Sequence, residues 1–243
     1  MVEAIDGPGI SFCYHSPMLA QPSRGRFITF EGLDGCGKST QLEKLAVVLR
    51  KEGVPFLITR EPGGTATGEV IRNLLLDSAT SGLSPFTELA LMFASRTQHI
   101  NEIIEPALSE GNVVLCDRFT DSTEAYQGGG RKLGSQPVLS LHRILCGGLQ
   151  PDVTILMDSD VAASVERARR RNRSRAVNSP EESNENRFEQ ESRAFFGRVH
   201  GAYLKIAARD RKRVFLVDAR GTPNQTHAKI AEIVRRKLNL GKS

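Results

Sequence analysis

Between residue 26 and residue 238 the chain alternates short apolar runs with stretches whose apolar residues recur at helical spacing. Arg26-Phe27-Ile28-Thr29-Phe30 reads as a buried strand, and behind it Leu42, Leu45, Ala46 and Leu49 mark one helix face, with Gly53 as the stop. Phe56 to Thr59 is a second strand, followed by a short helix through Val70, Ile71, Leu74 and Leu75 and a longer one from about Phe86 to Leu108. Asn112 to Cys116 is a third strand ending at Asp117. Gly128-Gly129-Gly130 then marks a loop before a helix from Val138 to Leu145. Val153 to Met157 is a fourth strand, and a helix through Val161, Val165 and Ala168 runs into an arginine-rich segment. A long helix from Phe188 to Ala208, a fifth strand from Val214 to Asp218 and a last helix from about Asn224 to Leu238 complete the pattern. Such alternation predicts an α/β domain over 25–243, with a five-stranded parallel sheet, helices on both faces, right-handed crossovers and ligands at the strand C-termini. Residues 1–24 carry Gly, Pro and Ser with little periodicity, which predicts a disordered extension.

The first strand-to-helix turn changes that picture from architecture to chemistry. Gly32-Leu33-Asp34-Gly35-Cys36-Gly37-Lys38-Ser39-Thr40 fits G-x-x-x-x-G-K-[ST] and stands between the strand and helix that this pattern requires. The glycines let backbone N–H groups converge on a polyphosphate, backed by the positive end of the helix. Lys38 is placed to reach the β- and γ-phosphates, and Ser39 to offer its hydroxyl to Mg²⁺. Asp117, at the end of the third strand, is the acidic residue that such sites turn toward the same cation. The second strand runs into Arg60-Glu61-Pro62-Gly63-Gly64-Thr65, another glycine-bearing loop at a strand C-terminus.

Composition narrows the partners. The chain has 243 residues and a net charge of +5, compatible with nucleic acid or with small polyanions. Its arginines crowd into Arg167 to Arg175 and acidic residues follow, which favours small polyanions and a mobile charged lid at about 167–190. Cys13, Cys36, Cys116 and Cys146 form no C-x-x-C pair, and the histidines form no metal-spaced cluster; a cytoplasmic setting fits. No apolar run reaches the roughly 18 residues of a membrane span, and the N-terminal segment has neither a secretory core nor a transit-peptide composition. Met18 is a second candidate start.

Four separated motifs then agree. Phe30-Glu31-Gly32 through Thr40, Thr59 through Thr65, Asp117-Arg118-Phe119 with Ser122-Thr123 and Ala125-Tyr126-Gln127-Gly128, and the arginine-rich segment ending in Asn186-Arg187-Phe188-Glu189 together resemble the thymidylate kinases of bacterial type. The resemblance covers nearly all of residues 25–240. It implies a P-loop NTPase fold and transfer of the ATP γ-phosphoryl group to dTMP with Mg²⁺, giving dTDP and ADP. It places Arg60, Arg72 and Arg118 around the acceptor phosphate and Asp34 near the sugar 3′-hydroxyl. Thr123 and Gln127 would line the base pocket, and Tyr126 would crowd the ribose 2′ position.

Phe93 and Arg96, three apart, share a helix face that suits an aromatic plate for thymine and a donor to its carbonyl. Many relatives space this pair by four, which keeps Met92 in contention for the plate. Some relatives carry a basic residue where this chain has Gly35, so catalytic charge is expected from the lid, from Arg167, Arg169, Arg171 or Arg187, with Arg171 first. Lys38, Arg118, Asp34 and Arg171 are the expected catalytic set, and the family implies a homodimer. The rival readings are a deoxynucleoside kinase, against which the acceptor-phosphate arginines speak, and a nucleic-acid-stimulated ATPase, for which a basic helix with interleaved aromatics is missing.

Overall fold

The computed structural model describes residues 24–80, 82–178 and 187–238. Five parallel strands, β1 (Phe27–Glu31), β2 (Phe56–Arg60), β3 (Val113–Asp117), β4 (Val153–Asp158) and β5 (Val214–Asp218), form one sheet in the order β2-β3-β1-β4-β5. β1 and β3 are buried almost throughout, which is why they read as near-continuous apolar runs. On one face α1 (Lys38–Lys51) and α9 (Pro223–Leu238) close over Ile28, Phe30, Leu115 and Ile155 with Leu42, Leu45, Leu49, Ile230 and Val234. On the other, α3 (Pro85–His99), α4 (Glu105–Ser109) and α6 (Ser135–Leu145) pack around Phe27, Phe93, Phe119 and Val114, and α8 (Arg193–Arg209) around Tyr126, Phe195, Val199 and Leu156.

Register decides where the chemistry lies. Phe30 pairs with Asp117 across β1 and β3, and Arg60 with Asp117 across β2 and β3. The loops leaving these three strands therefore open onto one edge, with α2 (Ala66–Leu76) capped by Thr65 alongside.

The elements differ from expectation in three places. The helix expected from 86 to 108 is interrupted by a wide π-helical turn at Ile100–Ile104, one turn before Pro106, whose missing N–H and ring cannot continue a regular ladder. The glycines expected in a loop instead end a helical stretch, α5 (Thr120–Thr123) running into a π-helical segment Glu124–Gly130. A Cβ on Gly129 would lie 2.6 Å from Ala202 Cβ, and one on Gly130 2.5 Å from the Phe195 ring, so these glycines let α8 pack against the segment. The long helix starts at Arg193, where Ser192 caps it, and not at Phe188. The arginine-rich segment is helical, α7 spanning Val161–Asn178. Residues 179–186 of the expected lid and all but Arg24 of the expected extension lie outside the described residues.

Candidate active site

The turn from β1 into α1 is set by glycines in left-handed backbone, Gly35 at φ 78° and Gly37 at φ 100°. At Gly35 there is also no room: a Cβ would fall 2.2 Å from the Ser164 carbonyl oxygen, because α7 lies directly over the loop. Arg167 fastens it there, its Nε donating to the Gly35 carbonyl at 2.7 Å. A basic side chain at 35 is therefore excluded by packing. Lys38 is buried, with Nζ donating to the carbonyls of Gly32 and Leu33 at 3.2 and 3.1 Å. The Leu33 side chain itself belongs to the core, so only its backbone serves this loop.

Because β1 and β3 are in register at Phe30 and Asp117, α1 begins beside the Asp117 carboxylate. Ser39 Oγ donates to Asp117 Oδ2 at 3.2 Å, while Asp117 Oδ1 is buried without a partner among the described residues. A hydroxyl and a carboxylate with one spare oxygen, next to a phosphate cradle, fit Mg²⁺, a hard cation that takes few protein ligands.

Arg118, the next residue, adopts φ 74°, a left-handed conformation that costs a non-glycine residue of order 1–3 kcal/mol. That turn delivers its guanidinium to the mouth of the phosphate loop. Nη2 donates to Asp34 Oδ1 at 2.7 Å, and Nη1 to Ser122 Oγ at 2.9 Å and Tyr203 OH at 3.3 Å, with the Tyr126 ring 5.0 Å beneath. Burial opposes ionisation of Asp34, but the charges of Arg118 and Lys38 override it and hold the carboxyl well below the usual range. Beneath this arginine Glu31 accepts from Phe119 N, Ser122 Oγ and Tyr203 OH. Burial and the Asp121 charge push the Glu31 carboxyl up to about 7.

Arg96 is held on every side but one. Nε donates to Glu61 Oε2 at 2.7 Å, Nη2 donates to Thr123 Oγ1 at 2.9 Å, and the Phe93 and Phe119 rings flank the guanidinium at 5.0 and 5.1 Å. Glu61 also pairs with His99 Nδ1 at 3.0 Å; burial disfavours its charge, yet Arg96 and His99 together keep its carboxyl below the usual range. Arg96 Nη1 alone has no partner among the described residues. Phe93 does not face the cavity here: it is fully buried between α3 and the sheet, whereas Met92, one residue or about 100° round the helix, lines the cavity. Of the two candidates for the thymine plate, the structure thus puts Met92 at the cavity and the Phe93 ring against the Arg96 guanidinium. Phe188, whose ring meets that of Tyr126 edge-on at 5.7 Å between centroids, lines the cavity together with Tyr126 and Phe119.

The four lid arginines separate. Arg167 and Arg171, four apart on α7, both line the phosphate-loop cavity. Arg169, two residues away and so on another face, donates to the carbonyls of Glu189 and Glu191 at 2.8 and 3.2 Å. Arg187 is buried, bonded to the Leu75 carbonyl at 2.6 Å and to Glu88 Oε2 at 2.7 Å. Neither lines the phosphate-loop cavity, so the structure does not bring these two expected nucleotide ligands to the loop as it does Arg167 and Arg171.

Two cavities result. One is lined by Gly35, Cys36, Gly37, Lys38, Ser39 and Thr40, and is closed at its end by Ala219, Arg220 and Gly221 from the loop after β5. The other is lined by Met92, Arg96, Thr123, Tyr126, Gln127 and Phe188. Asp34, Glu61, Arg72, Arg118, Arg171 and Asn172 line both. Arg72 donates to the Pro62 carbonyl at 3.0 Å, while Arg60 lines only the phosphate-loop side, where Glu69 holds it at 3.0 Å. Glu61 and Phe188 were read only as parts of motifs, without a site role, and neither Asn172 nor the loop at Ala219 to Gly221 was singled out from sequence. The last of these lies at a strand C-terminus, which is the signal that could have pointed to it.

A phosphate loop joined through an arginine-lined seam to a second, base-sized cavity on a five-stranded parallel sheet defines a P-loop nucleoside monophosphate kinase. The family model for thymidylate kinase matches residues 30–230. Thymidylate kinase of Trichlorobacter lovleyi is 46% identical over 212 residues, which span 87% of this chain and 98% of that one. That of Pseudomonas syringae pv. tomato is 46% identical over 216 residues, 89% and 98% of the two chains. The crystal structure of thymidylate kinase from Ehrlichia chaffeensis superposes with a TM-score of 0.68 at 30% identity, covering 87% of this chain and 99% of that chain. The chain belongs to the thymidylate kinase family.

Proposed function

We propose that the chain transfers the γ-phosphoryl group of ATP to dTMP at the seam of its two cavities, with ATP on the phosphate loop and dTMP in the second cavity. The observation that carries this reading is the set of residues common to both cavities, three of them arginines, at the place where two phosphates would meet. Bringing two anions together asks a protein for positive charge and alignment more than for covalent chemistry. In this reading Lys38 leaves the loop carbonyls for the β- and γ-phosphates, Arg118 and Arg72 grip the acceptor phosphate bidentately, and Arg60 supports it from the donor side. Asp34, fixed by Arg118, orients the sugar 3′-hydroxyl, and Tyr126 packs against C2′. Arg171, on the face of α7 that spans both cavities, stabilises the transferring oxygens, with Arg167 holding α7 against the loop.

Ser39 and Asp117 would hold Mg²⁺, which when bound neutralises the phosphate oxygens of ATP. In the base pocket the unpartnered Arg96 Nη1 suits the O4 carbonyl of thymine, and the Gln127 Oε1, also unpartnered, suits its N3–H. Exposed apolar side chains on adjacent helices, Val70 (71% exposed) and Leu74 on α2, Phe86 (62%) on α3 and Ile144 (70%) on α6, support a homodimer through that face. No helix among the described residues is long and apolar enough to cross a membrane, and a cytoplasmic setting is proposed from composition.

Offering ATP with dTMP, thymidine or DNA in a coupled ADP assay tests the reading. Turnover is expected with dTMP and not with thymidine, and ATP hydrolysis is expected to be unmoved by DNA. Equal turnover of thymidine would overturn it.

A further inference from the structure

Gln127 has a two-faced amide, and the base that it reads depends on which end faces the cavity. A carbonyl accepts the N3–H of thymine or uracil; an NH₂ would suit the bare N3 of cytosine instead. Gln127 is buried, so rotation of its amide is not levelled by water. Its Nε2 donates to Glu88 Oε1 at 2.8 Å, which leaves Oε1 as the free end of the amide, buried and without a partner among the described residues, on a side chain that lines the cavity.

Glu88, from the first turn of α3, is fully buried and does not line that cavity. Two guanidiniums saturate it: Arg131 donates at 3.0 to 3.2 Å to both its oxygens, and Arg187 at 2.7 Å to Oε2. Burial opposes its charge, but the hydrogen bonds from Arg131 and Gln127 prevail and keep the carboxyl below the usual range. An ionised carboxylate only accepts, so the amide next to it must present nitrogen to it, which keeps its oxygen free.

We infer that Glu88 is a specificity-determining positioning residue: by holding the Gln127 amide with its oxygen toward the acceptor cavity, it makes the pocket choose thymine and uracil over cytosine. Arg96 Nη1, likewise buried without a partner among the described residues, would supply the matching donor, so that the pocket offers one donor and one acceptor, the complement of O4 and N3–H and the inverse of what cytosine needs. Replacing Glu88 with glutamine gives Gln127 a neighbour that can donate as well as accept, which frees its amide to turn over.

This inference rests on the acceptor pocket proposed above, and steady-state kinetics with ATP and dTMP, dUMP or dCMP separates the two. For Glu88→Gln the dTMP:dCMP ratio of kcat/KM should fall about tenfold, chiefly through KM, the effect of one buried mispaired hydrogen bond. The dTMP:dUMP ratio should stay within about twofold, since those bases share the edge being read. Glu88→Asp keeps an acceptor-only group and should hold the dTMP:dCMP ratio near wild type even where it lowers Tm. Gln127→Met should lower that ratio by itself. If Gln127→Met lowers it and Glu88→Gln does not, or if Glu88→Gln lowers both ratios alike, the role of Glu88 is overturned. If Gln127→Met leaves base preference unchanged, the acceptor pocket falls and the inference falls with it. Should Glu88→Gln fail to fold, Glu88→Gln/Arg187→Gln removes the two charges as a pair, leaves Arg131 with Glu191, and carries the same test.

Discussion

Arg118 and Asp34, one at the end of β3 and the other inside the phosphate loop, meet at 2.7 Å where the two cavities join. The pair resolves what the sequence presents as a conflict, a carboxylate placed among phosphate-binding groups. Arg118 and Lys38, 3.7 Å from the same oxygen, neutralise it and leave it an oriented acceptor.

Linkage gives this pair a pH signature. The folded carboxyl titrates below the unfolded value of about 3.9, so its contribution is complete above that value and is lost as pH falls toward the folded one. Asp34→Asn should therefore be less stable than wild type by about 1–3 kcal/mol from pH 7 down to about 5, with the gap closing below about pH 4. Urea midpoints across that range measure it, and a gap that widens on acidification would contradict the ion pair.

Arg171 and Arg187 lie in the same charged segment yet should fail in different ways. Arg171 is exposed, so Arg171→Ala should leave Tm nearly unchanged and lower kcat about 10²- to 10³-fold, with a smaller change in KM for dTMP. Arg187→Ala strips a partner from the buried Glu88 and should cost about 3–5 kcal/mol of stability. Thermal melts beside kcat values read both, and an Arg187→Ala protein that melts like wild type would place that arginine outside the buried pair.

Gly35→Ala tests the packing of α7 on the loop. With φ at 78° and the Ser164 carbonyl oxygen 2.2 Å from the new carbon, the variant should lose about 1–3 kcal/mol and bind ATP more weakly. Melting temperature and KM for ATP report the two effects, and an unstrained Gly35→Ala enzyme would mean that α7 does not press on this turn.

Local order was legible without coordinates. The phosphate loop is read from consecutive residues because glycine conformations, the lysine and the following helix are all set within a dozen positions, and the five strands show because both sheet faces are covered. Asp117 at its strand end and Arg118 beside it were legible for the same reason, as were Met92 and Phe93 as alternatives. What escaped was whatever depends on a neighbour distant in sequence. Gly129 and Gly130 look like part of a loop until α8 is laid against them, and Glu61 looks like one more charged loop residue until Arg96 and His99 close on it.

The chain alone thus settled the sheet, the donor loop and the kind of charge the acceptor requires, since periodicity and backbone conformation are properties of short segments. Only the folded structure decided which of several like residues does the work. On a helix a step of one residue turns a side chain by about 100°, enough to send Phe93 into the core and Met92 into the cavity. The same geometry turns Arg169 toward Glu189 while Arg167 and Arg171 face the phosphate loop. That choice is made by what packs on each side of the helix, and no window of sequence contains both sides.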